Sequence, residues 1–178
     1  MKKYFIFHLL CVALFSGKVL SQDTKGAIWG PITNGLQMSI SFKGNKQEVL
    51  LGQPILLKAM VRNVSGNKTY FIHECYQKVL DGSYAFIISS PSGMDISPKI
   101  KEMTGGSGGF YSIAPGQAHE VELNLSPVCK FEAVGKYKIT TVKSIKDYSS
   151  YFSPGSSKQV NSQFKIVSNT LYINVIQY

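Results

Sequence analysis

The chain has 178 residues, 19 Lys+Arg against 10 Asp+Glu, and a formal net charge of +9 at pH 7. At 44% hydrophobic residues it can bury one real core, and it is too short for two full domains. Past Lys2-Lys3 its basic residues are spread singly and include one arginine, Arg62, so the clustered Arg/Lys and aromatic side chains of a nucleic-acid surface are missing.

Residues 1–21 read as a secretory signal peptide. Met1-Lys2-Lys3 leads into an apolar run from Tyr4 to Phe15, and Val19-Leu20-Ser21 offers a small-residue cleavage site ahead of Gln22. The run is shorter than the roughly 20 residues a membrane span needs, and no second run of spanning length follows. The expectation is a single domain over 22–178, secreted or periplasmic, with no transmembrane segment after cleavage. Removing Lys2, Lys3 and Lys18 leaves a charge of +6 (16 Lys+Arg against 10 Asp+Glu).

In chain order, Gly30-Pro31 and Asn34-Gly35 signal turns. Trp29, the single tryptophan, is expected to pack over one end of the fold. Leu36, Met38, Ile40 and Phe42 alternate with Gln37, Ser39 and Ser41, which predicts a half-buried strand. A longer strand is predicted over 55–64, with Ile55, Leu57, Ala59 and Val61 on one face. Further strands are predicted over 68–74, 83–89, 110–113 and 118–125, the last with His119, Val121, Leu123 and Leu125 inward. Pro98 demotes 94–103 to an edge at most. Thr104-Gly-Gly-Ser-Gly-Gly109 lacks the Gly-Lys-Ser/Thr and following helix of a phosphate loop, so it reads as a connector.

Ala133-Val-Gly-Lys-Tyr137 is a tight turn running into a strand to Val142, with Tyr137, Ile139 and Thr141 facing one way. A Gly two residues ahead of a Tyr is the pattern at the E–F corner of immunoglobulin-like sandwiches, where the hydroxyl turns back to corner backbone. Gly135 and Tyr137 are therefore the predicted structural corner. Residues 144–162 form a long Ser/Tyr/Lys-rich connector, and 164–176 the closing strand. No stretch has sustained helical periodicity, so the fold class is all-β: an immunoglobulin-like antiparallel sandwich of about 7–9 strands.

Two cysteines, Cys75 and Cys129, outlast signal cleavage. An even count outside any Cys-x-x-Cys or Cys/His cluster favours a disulfide in an exported chain. In such a sandwich strand C ends at the pole where strand F begins, which would place both cysteines together.

Several phrases resemble a group of bacterial secreted immunoglobulin-like domains: Trp29-Gly30, Gly35-Leu36, Gly52-Gln-Pro-Ile55, Arg62-Asn-Val-Ser65, Ser90-Pro-Ser-Gly93, Pro115-Gly116, Gly135-Lys-Tyr137 and Ser168-Asn-Thr-Leu171. The same order is similar to the bacterial intracellular proteinase-inhibitor sandwich. The resemblance implies a non-catalytic binding unit. It departs from antibody-type domains in having Ile139 where they carry the second inter-sheet cysteine.

Asp147-Tyr-Ser-Ser-Tyr-Phe-Ser-Pro-Gly has the Tyr/Ser/Gly composition of binding loops, so Tyr148, Tyr151 and Phe152 are the expected contacts to a protein or glycan partner. No cofactor is expected. An alternative is a proteinase inhibitor presenting 104–109 or 144–162. Another is a hydrolase or metal site built on His73 and His119, with Glu74, Cys75 and Glu120 beside them. That site requires convergence, yet neighbours on a strand point to opposite faces. Asn63-Val-Ser65, Asn67-Lys-Thr69 and Asn124-Leu-Ser126 match the glycosylation pattern, but read as turn and strand-edge residues in a bacterial chain.

Overall fold

A computed structural model describes residues 26–44, 47–75, 79, 82–100, 108–149 and 162–177. The signal-peptide segment 1–21, Tyr151 and Phe152 lie outside the described residues, as does most of the 104–109 connector.

The chain is all-β. Nine strands are described: β1 (Leu36–Phe42), β2 (Glu48–Leu50), β3 (Leu56–Asn63), β4 (Tyr70–Cys75), β5 (Tyr84–Ser89), β6 (Gly108–Ile113), β7 (Ala118–Asn124), β8 (Gly135–Asp147) and β9 (Ser162–Ile176). They form two sheets, one of three strands in the order β1-β3-β7 and one of six with the path β2-β9-β8-β4-β6, β5 pairing with β8. All described pairings are antiparallel except β2 with β9. The alternating side chains read from the sequence meet in one core: Leu36, Met38 and Ile40 with Leu57, Ala59 and Val61 from the smaller sheet, and Ile72, Ile88, Ile139 and Ile173 from the larger.

The Asn34-Gly35 turn opens β1. Both residues have positive φ (48° and 76°), and Thr33 and Leu36 exchange both backbone hydrogen bonds across them. This is the two-residue turn that Asn-Gly favours because Gly, and at small cost Asn, tolerates the left-handed region.

Two expectations are corrected here. The 144–162 connector is shorter than read: β8 continues through Asp147 and β9 starts at Ser162, each residue paired across the two strands. The Cys75–Cys129 disulfide is not formed. The reason is topological. Strand C was expected to end before Cys75, but β4 and then β5 run in succession along the same edge of β8, and it is β5 that continues to Ser89 opposite Lys138. The register that sets Ile72 opposite Asp147 brings Cys75 level with Ser144. Cys129 lies toward the other end of β8, beside Phe131, whose ring meets Tyr137. Seven residues of strand, roughly 23 Å, separate Ser144 from Tyr137, where a disulfide needs Cα atoms about 4.4–6.8 Å apart. Cys129 packs as a small hydrophobe with Sγ 3.7 Å from the Ile96 carbonyl, and burial pushes its thiol pKa up.

Candidate functional site

Two constellations stand out, on opposite sides of the larger sheet. The first is inside. β8 alternates strictly, so Tyr137, Ile139, Thr141, Lys143, Ile145 and Asp147 all point inward. A lysine thus enters the core at 1% exposure, where its Nζ donates to Glu74 Oε1 at 2.9 Å. The Tyr84 hydroxyl donates to the same oxygen at 3.0 Å, and the Lys143 ammonium lies 3.9 Å from the centre of that ring. Glu74 Oε2 faces His119 Nε2 at 3.3 Å; a carboxylate can only accept, so Nε2 carries the proton. His119 stacks on Tyr111, centroids 3.7 Å apart.

The electrostatics follow from those contacts. Burial alone would raise the Glu74 pKa; the His119 hydrogen bond and the Lys143 charge and hydrogen bond outweigh it and hold the group at about 2 instead of 4.5. Burial and then the Glu74 charge push Tyr111 well above the ordinary tyrosine value, and its hydroxyl has no hydrogen-bond partner among the described residues. A carboxylate held that low is a poor proton acceptor near neutrality. What the cluster does is tie β4, β5 and β8 of one sheet to β7 of the other around a charge-balanced centre.

The second constellation lies on the outer face. His73 follows the opposite alternation from Glu74 and sits opposite Phe110 of β6. Its ring packs edge-on to Phe110 (5.1 Å) and Tyr148 (6.4 Å), and Phe110 and Tyr148 meet at 5.2 Å. Tyr148 is anchored by its amide donating to the Phe71 carbonyl at 2.8 Å. Phe110 remains 47% exposed. Of the expected contact residues, Tyr148 thus joins an aromatic group that the sequence reading had not connected to it.

His73 and His119, offered as partners in a hydrolase or metal site, are not brought together: one faces outward and the other touches the inward Glu74. No group of three or more His, Cys, Asp or Glu side chains is positioned to hold a metal among the described residues. The corner residues lie where expected. The Tyr137 hydroxyl donates to the Ala133 carbonyl at 2.8 Å and accepts from the Ala133 amide at 3.0 Å. Gly135 has φ 132°, and a Cβ there would come within 2.8 Å of the Pro91 ring. Asn63 is 1% exposed, its amide donating to the Lys68 and Ile113 carbonyls, so it is a turn-forming residue.

No protein-family model matches the chain, and no curated protein matches it. Solved structures with partial likeness include the sporulation control protein Spo0M of Bacillus subtilis (TM-score 0.39, 12% identity, 80% of this chain and 50% of that one). A beta-glucosidase of Listeria innocua gives TM-score 0.35 and 9% identity over 79% of this chain and 16% of that one. AvmM, which catalyses macrocyclization in alchivemycin A biosynthesis, gives TM-score 0.36 and 8% identity over 84% of this chain and 96% of that one. The chain thus spans half the length of the first and about a sixth of the second.

Proposed function

We propose that the chain is an exported immunoglobulin-like module that acts by binding a protein or glycan and carries out no catalysis. The immunoglobulin-like reading is supported by a three-stranded sheet facing a six-stranded one, by β2 running parallel to β9, and by the Tyr137–Ala133 corner. The binding reading rests on the outward cluster of Tyr148, Phe110 and His73. Aromatic rings held rigid by one another offer contact area at low entropic cost. Tyr148 directly follows β8 and is tied to Phe71 of β4, so the expected contact surface begins on rigid strands.

The test is a double variant, Tyr148→Ser with Phe110→Ser, compared with the parent on arrays of envelope proteins and cell-wall glycans. The expected result is loss of the parent's partner with a melting temperature close to the parent's. A partner that binds the double variant at full strength would show the cluster to be packing alone.

A further inference from the structure

Resting on the reading of this outer sheet face as a binding surface, we infer that its ligand is an acidic polysaccharide, gripped around Tyr172 by Lys136 and Lys138.

Charge is segregated in this fold. On the smaller sheet the carboxylates are matched: Lys58 pairs with Glu120 and Lys43 with Glu122. Glu74 and Asp147 point inward and are paired with Lys143 and Lys68. The outward positions of β8 and β9 carry Lys136, Lys138 and Lys165, all exposed, and no carboxylate on either strand points that way. The nearest acid in the sheet is Glu48 on the short rim strand β2, opposite Asn174. These three lysines therefore give the outward face of β8 and β9 a local excess of positive charge, which favours anions.

Tyr172 is the focus of that face. It is 44% exposed, lies directly across from Lys138, and has the Lys136 ammonium 4.4 Å from its ring centre. It borders a hollow of about 550 Å³ with Lys136, Asn174, Gln47 and the acidic Glu48, and a second of about 450 Å³ that also reaches Gln47. These are the dimensions of small-ligand sites. A pyranose stacks its C–H face on an aromatic ring, its hydroxyls suit amide side chains, and a uronate or sulfate suits a rotatable ammonium. Thr140 and Thr170, whose hydroxyls lie 3.2 Å apart, continue the polar strip in the next row.

The same features disfavour an acidic protein. Protein hot spots draw on Arg and on large anchors in buried pockets. The single arginine, Arg62, lies on the other sheet, where its guanidinium covers Trp29 at 4.0 Å and bonds Gln37. The polar rows run from Lys136 along β8 to Thr140, four residues or about 13 Å, and resume past the outward Val142–Val167 pair at Ser144 opposite Lys165, a spaced pattern that an extended polymer can span.

The full chain would be titrated with polygalacturonate, alginate and heparin, with dextran as the neutral control and poly-glutamate as the acidic-peptide control. Binding of at least one acidic polysaccharide but not dextran, weakened by about 0.5 M salt, is expected. Lys136→Gln with Lys138→Gln, and separately Tyr172→Ser, should each weaken it about tenfold or more with unchanged melting. No binding to any of the three, undiminished binding by the lysine variant, or equal lysine-dependent binding of poly-glutamate would overturn the inference. The Tyr148→Ser/Phe110→Ser variant is run beside them. Loss there without loss in the lysine variant overturns this subsite and leaves the binding face standing; loss in neither overturns both.

Discussion

Lys143 and Glu74 meet head-on inside the domain, Nζ 2.9 Å from Oε1, although they are 69 residues apart in sequence. Both ions have given up water, so their mutual attraction and the added hydrogen bonds from Tyr84 and His119 offset a desolvation cost of several kcal/mol per ion. Removing one partner should be far worse than removing both. Lys143→Met leaves the carboxylate buried and should lower unfolding stability by about 3–5 kcal/mol. Lys143→Met with Glu74→Leu should recover most of that loss. Urea unfolding of the two singles and the double gives the coupling; singles that simply add would show the ions to be solvated independently.

The same carboxylate sets an acid limit. The Glu74 pKa in the fold, about 2, lies below its ordinary 4.5. A depressed folded pKa means the unfolded chain binds the proton more readily, so the stabilisation is fully present above pH 4.5 and is lost as pH falls from there toward 2. The amount is about 3 kcal/mol. Unfolding free energies measured from pH 6 down to about 2 should fall more steeply for the parent than for Glu74→Gln. Parallel curves would remove Glu74 from the acid response.

At the corner, Tyr137→Phe deletes a hydroxyl that serves both backbone groups of Ala133. The ring stays in the core beside Phe131, so the change isolates the polar contact. It should cost about 1–3 kcal/mol, read as a shift in urea midpoint at constant slope. A midpoint equal to the parent's would mean that water replaces the hydroxyl.

That corner was legible because its chemistry is local: Gly135, Tyr137 and Ala133 lie within five residues. The alternating strands were legible for the same reason, each declaring its inward face by a period of two. Carried one step past Thr141, the alternation also points Lys143 inward, and an inward lysine demands an anion; ending the strand at Val142 hid it. What sequence could not supply is which strands sit side by side. The Cys75–Cys129 pairing rested on strand C ending just before Cys75, whereas β5 resumes the same edge of β8. The cluster of Tyr148 with Phe110 depends likewise on β6 pairing with β4, a non-local contact with no local signature.

Asn169 is the least expected of the structural residues, and it gives the last prediction. The β8–β9 register shifts between Thr140 and Val142, where Ser168 and Asn169 of β9 stand against one residue of β8. Ser168 Oγ accepts from the Thr141 amide at 2.9 Å and so repairs the interrupted ladder. The irregularity frees Asn169 to turn toward the other sheet. Its Oδ1 accepts from the Ile40 amide at 2.7 Å and its Nδ2 donates to the Ile40 carbonyl at 3.1 Å. One side-chain amide thus imitates a neighbouring strand for the outer edge of β1, at a residue that is nearly fully buried. Asn169→Ala would leave both Ile40 groups unpaired and should cost about 1–3 kcal/mol. Asn169→Asp keeps the acceptor but sets a carboxylate against the Ile40 carbonyl, so it should not rescue the loss. The local readout is hydrogen exchange: the Ile40 amide should exchange faster in Asn169→Ala by more than the global destabilisation predicts, while the Val61 amide in the centre of the same sheet follows the global value. Equal acceleration at Ile40 and Val61 would mean that Asn169 contributes to the fold as a whole and does not clamp β1.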